Sequence, residues 1–369
     1  MPNEGRLNAA EAGGPAPRAG PSAAVPGPHT PLAIALTAKD FTSDQEVRWC
    51  PGCGDFSVLA QLKKALAGLG QPRENLVFFS GIGCASRTPY YLSTYGFHGN
   101  RGRAPALATG LKLVRPDLSV WVITGDGDGL DAGAAQLIHA LRRNVDVKII
   151  LLNNETYGLT RGQYSPTSRP GTRTRSSPDG SVETPLRPLA LALAAEATFV
   201  ARTVDVDVDH LTATLERAGR HKGAAFVEIY QNCKVFNDGV FEYATDKVVK
   251  ADNLLYLEHG KPLIFGQDQN RGIRLKGLAP EVVTIANGTS VDQLLVHDEK
   301  AEEPHLAFLL SRLTYPDYPE CVGVLRCVER PTHDALFGGP PVAGPGKTAD
   351  LDEFLAGDET WEVRAKEAP

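Results

Sequence analysis

The sequence has little cysteine, no excess of basic residues and no apolar run long enough to cross a membrane. Six cysteines in 369 residues are too few for the disulfide framework of a small secreted protein. Lys and Arg number 38 against 44 Asp and Glu, for a net charge of −6. This balance argues against nucleic acid as the main partner. Without a membrane-length apolar stretch, the composition predicts an ordinary cytoplasmic protein.

Composition also divides the chain into parts. Residues 1–31 are rich in Gly, Pro and Ala and contain no apolar block of signal-peptide length, so we expect a disordered tail. Residues 32–250 carry the strongest periodicity and predict one α/β domain. Residues 251–335 predict an extension that packs on this domain, and residues 336–369 an irregular tail.

Apolar runs and amphipathic helical patterns alternate along the central part of the chain. We predict helices at 55–70, 104–114, 131–144 and 207–221, and strands at 75–80, 119–124, 147–152, 197–203 and 224–231. Continuous apolar strands separated by helices indicate a doubly wound, mostly parallel α/β sheet. Residues 165–187 are polar and rich in Pro and Gly, which predicts a long loop over the surface or over a partner. The extension favours a short hairpin at 254–266, a helix at 307–313 and a last strand at 321–328.

Unusual residues follow four of the predicted strands. Cys84 closes "GIGC" after the strand at 75–80, and Gly125, Asp126 and Gly127 follow the strand at 119–124. Asn153 and Asn154 follow the strand at 147–152, and Cys233 follows the strand at 224–231. Because ligands of open α/β sheets bind beyond the carboxyl ends of the strands, we expect all of these residues at one edge of the sheet.

Asp126 and Asn154 have the chemistry of a magnesium site. They lie 28 residues apart, which is room for one helix and one strand, so they can meet at adjacent strand ends. A carboxylate, an amide oxygen and a backbone carbonyl just beyond the asparagine form an oxygen site that suits Mg²⁺ and leaves positions for phosphate oxygens. The alternative is a plain turn, since Gly and Asp are common turn residues. The helix that begins near Asp131 would point its amino terminus at the same place, which favours an anion such as pyrophosphate.

Four cysteines form a possible metal-binding set. Cys50 and Cys53 form a C-x₂-C pair in "WCPGCGD", and Cys84 and Cys233 at strand ends bring the number to four. Four thiolates bind either zinc or a [4Fe–4S] cluster, and the pattern alone leaves both open. Cys321 and Cys327 fall in "CVGVLRCV" and are interpreted as strand residues of the core.

The segment "GDGDG…NNETYGLTRGQYSPTS" resembles the thiamine diphosphate motif of the 2-oxoacid:ferredoxin oxidoreductases, and is most similar to β subunits that act on 2-oxoglutarate. The resemblance is close over about residues 40–245. It implies the thiamine diphosphate-binding fold, with Mg²⁺ held by the side chains of Asp126 and Asn154 and the carbonyl of Thr156. The coenzyme would lie against Gly125, Gly127, Tyr157, Gly158, Leu159 and Thr160. A [4Fe–4S] cluster would be held by Cys50, Cys53, Cys84 and Cys233.

The activity that the resemblance implies is oxidative decarboxylation of 2-oxoglutarate to succinyl-CoA and CO₂, with electrons passed through the cluster to ferredoxin. Thiamine diphosphate usually lies between two domains and this chain offers one such sheet. The resemblance therefore implies a separate α subunit, without which the chain is inactive. Pyruvate or branched-chain 2-oxoacids remain possible substrates. The sequence is also compatible with a non-oxidative thiamine decarboxylase or carboligase, a cluster-bearing subunit that has lost catalysis, and a structural zinc module.

Three arginines bear on the substrate. By the resemblance, Arg87, three residues after Cys84, meets the carboxylate of the 2-oxoacid, which a guanidinium can bind with two hydrogen bonds. Arg161 stands where the family has a lysine. Arg101 stands where the family has a histidine, and arginine does not give up its proton. These departures leave the coenzyme motif intact but bear on substrate choice and turnover rate.

Overall fold

The computed structural model describes residues 36–285 and 290–336. The predicted tails at 1–31 and 336–369 lie outside these residues, apart from Leu336. The helices are α1 (Asp55–Leu69), α2 (Ala104–Val114), α3 (Ala134–Arg142), α4 (Pro188–Ala194), α5 (Val208–Arg220), α6 (Glu242–Thr245), α7 (Lys250–Asn253), α8 (His305–Arg312) and α9 (His333–Leu336). Among them, no helix is long and apolar enough to cross a membrane.

The strands are β1 (Leu76–Ser80), β2 (Tyr95–His98), β3 (Ser119–Gly125), β4 (Val147–Asn153), β5 (Thr156–Tyr157), β6 (Gln163–Tyr164), β7 (Phe199–Val204), β8 (Ala225–Tyr230), β9 (Leu254–Leu257), β10 (Ile264–Phe265), β11 (Arg271–Lys276), β12 (Ala279–Thr284) and β13 (Glu320–Cys327). The five strands predicted in the central part, the helices at 55–70, 104–114, 207–221 and 307–313, and the last strand are confirmed. The helix predicted at 131–144 begins three residues late. A π-helical turn over Asp128–Ala132 precedes it.

Eight strands form one sheet in the order β2-β1-β3-β4-β8-β7-β13-β9. All neighbouring strands are parallel except β13, which runs antiparallel to β7. The prediction of a doubly wound, mostly parallel α/β sheet is confirmed. Because β1, β3, β4 and β8 are adjacent and parallel, their carboxyl ends share one edge, which we call the carboxyl edge, and their amino ends share the amino edge.

Both faces of the sheet are covered, which explains the continuous apolar strands. On β1, Val77 and Phe79 pack on one face with α2, α3, α4 and α8, whereas Leu76 and Phe78 pack on the other with α1 and α5. Each fully buried side chain of this size contributes roughly 1.5–3 kcal/mol of transfer free energy. The two layers hold the loops of the carboxyl edge on a rigid base.

The amino edge contains a buried charge cluster. Asp146 lies between Lys112 and Lys148, whose Nζ atoms are 3.0 and 2.5 Å from its carboxylate oxygens. Lys148 also donates to the carbonyl of His221 at 2.5 Å. The two lysines hold the pKa of Asp146 well below its usual range, even though burial acts in the opposite direction. The negative charge of Asp146 is therefore compensated within the chain.

The C-terminal extension was only partly predicted. The hairpin expected at 254–266 is wrong, because β9 joins the main sheet beside β13 whereas β10 pairs with β11. A small antiparallel sheet, β10-β11-β12, was missed. The sequences of these strands show only weak alternation of apolar and polar residues, so the pattern did not predict them.

Candidate functional site

The loops after β1, β3, β4 and β8 meet at the carboxyl edge, as their strand order requires. One cavity there is lined by Ile82, Gly83, Cys84, Ala85, Arg101, Gly125, Asp126, Gly127, Asp128, Leu152, Asn154, Thr156, Tyr157, Gly158, Leu159 and Thr160. Every residue that the sequence assigned to magnesium or to thiamine diphosphate lies in this lining. One of the four cysteines, Cys84, lines it as well.

Asp126 is a buried carboxylate, with 2% of its surface exposed. Its Oδ2 accepts hydrogen bonds from the hydroxyls of Ser165 at 2.5 Å and Thr167 at 2.6 Å. Burial raises its pKa to about 6, against the lowering effect of these two hydroxyls. In the described part of the chain no basic side chain forms an ion pair with it. A buried carboxylate without a counter-charge is costly, and a cation in the cavity would supply that charge.

The tetrapeptide Ser165-Pro-Thr-Ser168, which we call the SPTS clasp, joins the two loops that carry the proposed metal ligands. Thr167 Oγ1 lies 2.6 Å from Asp126 Oδ2 and 3.0 Å from Asn153 Oδ1. Ser168 donates to the carbonyl of Glu155 at 2.6 Å. The clasp opens the stretch at 165–187, which has no regular helix or strand, as predicted. The prediction that this stretch lies over the surface is wrong for Ser165, Thr167 and Ser168, which are all buried.

Asn154 and Thr156 reach the same cavity because the chain turns between them. Glu155 has a φ of 52°, a left-handed conformation that few residues with a side chain adopt. The Nδ2 of Asn154 donates to Gln231 Oε1 at 2.7 Å. This bond turns Oδ1 away from Gln231, and Oδ1 accepts a hydrogen bond from the Thr156 backbone N–H at 3.2 Å. An amide oxygen has two lone pairs, so one remains for a further partner.

Tyr157 closes the cavity against the glycine loop. Its hydroxyl donates to Asp131 Oδ2 at 2.8 Å and lies 3.1 Å from the carbonyl oxygen of Gly127. A Cβ atom on Gly127 would collide with the Tyr157 ring, so this position requires glycine for space. Arg101 stacks over the same ring, with Cζ 5.0 Å from the centroid. Arg101 therefore lies in the cavity.

Asp128, two residues after Asp126, has a structural role. Its Oδ1 accepts from the backbone amides of Ile82 and Gly102 at 3.0 and 2.8 Å, and its Oδ2 from Thr124 at 2.7 Å. The bonds tie three chain segments together beside the cavity. Both of its carboxylate oxygens are engaged by the protein.

Two of the four cysteines lie beside the cavity wall. A Cβ atom on Gly158 would lie 3.5 Å from Cys233 Sγ and 3.6 Å from Cys84 Sγ, so both sulfur atoms border the cavity wall at Gly158. Burial raises the pKa of the Cys84 thiol to about 11. Burial also raises that of Cys53 strongly, with smaller contributions from Asp55, Cys84 and Cys233. Within residues 36–285 and 290–336, no three His, Cys, Asp or Glu side chains lie close enough together to hold a single metal ion.

The remaining predicted residues lie apart from the lining. Arg87 donates to the carbonyl of Arg48 at 2.8 Å. Arg161 is exposed, with a φ of 78° in the turn before Gly162. Cys321 is fully buried in β13, as expected, whereas Cys327 is half-buried. Neither arginine is among the residues that line the cavity.

Sequence reasoning missed four residues that build the site: Ser165, Thr167, Ser168 and Gln231. The three hydroxyl residues follow the "GQY" segment closely, and this density of hydroxyls was a visible signal. No signal in the sequence pointed to Gln231, because a single glutamine at a strand end forms no distinctive pattern.

Comparisons with known proteins agree with this geometry. A family model described as thiamine pyrophosphate enzyme, C-terminal TPP binding domain, matches residues 81–229. The chain is 51% identical over 330 residues to 2-oxoglutarate oxidoreductase subunit KorB of Mycobacterium tuberculosis, and the alignment covers 88% of each protein. It is 40% identical over 188 residues to 2-oxoglutarate synthase subunit KorB of Methanocaldococcus jannaschii, covering 51% of this chain and 70% of that protein.

A solved structure is also similar. It is described as 2-oxoglutarate:ferredoxin oxidoreductase from Magnetococcus marinus with 2-oxoglutarate, coenzyme A and succinyl-CoA bound. The TM-score is 0.65 at 30% identity, over 88% of this chain and 97% of that chain. The fold and the cavity thus define a thiamine diphosphate-binding domain of an oxidoreductase. The chain belongs to the family of 2-oxoacid:ferredoxin oxidoreductase β subunits, which confirms the resemblance in the sequence.

Proposed function

We propose that this chain is the β subunit of an enzyme that oxidatively decarboxylates 2-oxoglutarate to succinyl-CoA and CO₂ and passes the electrons to ferredoxin. The observation that carries the proposal is the meeting of Asp126, Asn154, Thr156 and Cys84 in one cavity at the carboxyl edge. The relative of 51% identity and the similar solved structure both bear the name of 2-oxoglutarate. That agreement favours 2-oxoglutarate over pyruvate and branched-chain 2-oxoacids.

The donor set at the cavity fits Mg²⁺. It comprises the carboxylate of Asp126, the amide oxygen of Asn154 and the carbonyl of Thr156, and hard oxygen ligands are those that Mg²⁺ prefers. The buried carboxylate lacks a basic partner among the described residues, and its pKa is raised to about 6. A divalent ion would offset the cost of its burial. The site is then complete except for the oxygens that water and a diphosphate supply.

The lining also fits thiamine diphosphate. A Cβ atom on Gly125 would meet no other atom closer than 3.9 Å, and one on Gly83 would meet none within 4 Å, so the backbone is open to a ligand at both positions. When bound, the coenzyme supplies the carbanion chemistry by which a 2-oxoacid loses CO₂. Tyr157, Gly158, Leu159 and Thr160 would bound it on one side, and Arg101 would present a fixed positive charge.

The four cysteines would hold a [4Fe–4S] cluster next to the coenzyme. Cys84 and Gly158 both line the cavity, and the Cys84 and Cys233 sulfurs lie beside Gly158. Cys53 and Cys84 are half-buried thiols with raised pKa values, and iron would stabilise their thiolate forms. An oxidative decarboxylation must remove electrons from the substrate one at a time. An iron–sulfur cluster can accept them, whereas zinc is not redox-active.

The substrate and the partners follow from the same assignment. Arg87 would meet the carboxylate of the 2-oxoacid and Arg161 would act near the coenzyme, which requires both to approach the cavity on assembly. An α subunit would supply the pyrimidine side of the coenzyme site. The proposed cytoplasmic complex would take 2-oxoacid and CoA and would donate electrons to ferredoxin.

The test is to express this chain with and without an α subunit under anaerobic conditions and to assay 2-oxoacid-dependent reduction of a viologen dye with CoA. We expect that the complex is active and the lone chain is not, and that the complex prefers 2-oxoglutarate over pyruvate and 2-oxoisovalerate. Iron and sulfide analysis of the same samples separates the competing functions. Decarboxylation without iron would indicate a non-oxidative enzyme, and a cluster without decarboxylation in the complex would indicate a subunit that has lost catalysis. Full activity from the lone chain would refute the need for a partner.

A further inference from the structure

Gln231 contacts both centres of the proposed function. It follows β8 directly, two residues before Cys233, and only 1% of its surface is exposed. Its Oε1 accepts a hydrogen bond from Asn154 Nδ2 at 2.7 Å. Its Nε2 donates to the carbonyl of Asn232 at 2.6 Å and lies 3.4 Å from Cys53 Sγ. One buried amide therefore connects a magnesium ligand to a cluster ligand.

The orientation of this amide is determined by its neighbours. A backbone carbonyl can only accept a hydrogen bond, so the atom 2.6 Å from the Asn232 oxygen must be the NH₂ group. The same group faces Cys53. The oxygen of Gln231 must then face Asn154, whose NH₂ group donates to it. In turn, the Asn154 oxygen is turned away from Gln231.

Packing on both sides holds Gln231 in place. Its backbone N–H donates to the carbonyl of Asn153 at 2.8 Å, which joins the ends of β4 and β8. On the other side, a Cβ atom on Gly54 would lie 3.0 Å from Gln231 Cγ and 2.9 Å from the Asn232 nitrogen. The glycine after Cys53 thus allows the cysteine loop to approach Gln231 closely.

We propose that Gln231 is a positioning residue for both centres. Its carbonyl holds the Asn154 amide so that the Asn154 oxygen, which accepts one hydrogen bond from the Thr156 N–H at 3.2 Å, has its second lone pair for Mg²⁺. Its NH₂ group donates to the Cys53 sulfur of the cluster. This inference rests on the proposed function. A hydrogen bond to a cluster sulfur stabilises the more negative, reduced state, because hydrogen bonds to the sulfurs help to set the potential. Outer-sphere groups that orient a metal ligand also affect metal affinity, typically 10–100-fold on removal.

Two variants separate the two roles. Gln231→Leu removes both hydrogen bonds, so the cluster midpoint potential should become more negative and the Mg²⁺ concentration for half-maximal coenzyme binding should rise about tenfold. Gln231→Glu keeps an oxygen for Asn154 but has no N–H for Cys53. It should shift the potential in the same direction while the Mg²⁺ requirement stays within about threefold of wild type.

The matched control is Gln61→Leu in α1. Gln61 is also buried, at 5% exposure, and bonds to the carbonyl of Ser57 and the hydroxyl of Thr212. Its loss should lower thermal stability and leave the potential and the Mg²⁺ requirement unchanged. A general structural effect of removing a buried glutamine would appear equally in this control.

The measurements are an EPR-monitored redox titration and a calorimetric titration of thiamine diphosphate at varied Mg²⁺, both on the complex with its α subunit. An unchanged potential in both Gln231 variants, with a full complement of iron, would overturn the role at Cys53. An unchanged Mg²⁺ requirement in Gln231→Leu would overturn the role at Asn154. Absence of a cluster or of coenzyme binding in the wild-type complex would instead refute the proposed function.

Discussion

Two buried aspartates at opposite edges of the sheet have opposite electrostatics. At the amino edge, Asp146 lies between Lys112 and Lys148, and its pKa is well below the usual range. At the carboxyl edge, Asp126 is bonded by the neutral hydroxyls of Ser165 and Thr167, and burial raises its pKa to about 6. Both carboxylates lie at strand ends of the same sheet, so the difference comes from their neighbours.

The comparison shows where the chain leaves a charge uncompensated. At the amino edge the carboxylate of Asp146 has its counter-charge within the chain, because two lysines form ion pairs with it. The carboxyl edge orients its carboxylate with hydroxyls, and within the described residues no basic side chain forms an ion pair with it. Such an arrangement suits a carboxylate whose partner arrives with a ligand. We therefore propose that Asp146 contributes to stability and that Asp126 contributes to binding.

Replacing Asp126 by Asn should cause the largest loss of function. The amide is a weaker ligand without charge, so Mg²⁺-dependent coenzyme binding and 2-oxoacid-dependent dye reduction should fall by at least about 100-fold. The unfolding temperature should stay the same or rise, because no uncompensated charge is buried. Calorimetry and thermal unfolding of the complex check both parts. Asp117→Asn, on the exposed surface, is the control, and a cooperative loss of folding in Asp126→Asn would contradict the assignment.

Replacing Asp146 by Asn should show the reverse. Two buried lysines would lose their counter-charge, and the free energy of unfolding should fall by about 3 kcal/mol. Coenzyme affinity of the folded fraction should not change. Urea unfolding followed by circular dichroism measures the first effect. A midpoint equal to that of the wild type would show that the lysine pair does not depend on Asp146.

The SPTS clasp provides a smaller test at the carboxyl edge. Thr167→Val removes the hydroxyl between Asp126 and Asn153, so the Mg²⁺ concentration for half-maximal coenzyme binding should rise about tenfold. Thr167→Ser keeps the hydroxyl and should restore nearly wild-type behaviour. Ser176→Ala, exposed in the same loop, should have no effect. Equal Mg²⁺ requirements for the Val and Ser variants would rule out a positioning role for the hydroxyl.

The smallest of the predicted effects is a pH dependence of stability that arises from His221 at the amino edge. Burial and Lys148 lower the pKa of His221 to about 4, below the value of about 6.5 for an unfolded histidine. The folded state therefore favours the neutral ring. Its contribution is complete above about pH 6.5 and is lost as the pH falls towards 4, by on the order of 1 kcal/mol given its partial exposure.

The check is chemical unfolding at several pH values for the wild type and His221→Gln. The wild type should lose stability more steeply between pH 6.5 and 4 than the variant, since glutamine does not titrate. Parallel curves over this range would show that His221 does not contribute.

The sequence predicted the parts of the site that depend on local patterns. Apolar runs located the strands, and parallel strand order then required Asp126, Asn154 and Cys84 to meet. The burial of Ser165 and Thr167 was not predicted, because their partners lie 39 and 41 residues away and polar loop composition normally indicates exposure. Gln231 was missed for a similar reason, since its contacts reach Asn154 and Cys53 across two strand ends. The pairing of β9 with β13 likewise joins segments that no local periodicity connects.

The most direct test of the central claim is anomalous diffraction from crystals of the complex grown with Mn²⁺ in place of Mg²⁺ and with thiamine diphosphate. We predict a single strong manganese peak in the cavity, bonded to the Asp126 carboxylate, the Asn154 amide oxygen and the Thr156 carbonyl. A manganese peak elsewhere, distinguished from iron by data collected above the manganese and below the iron absorption edge, would contradict the claim that a cation completes the carboxyl edge. A bound coenzyme with Asp126 still bonded only to Ser165 and Thr167 would contradict it as well.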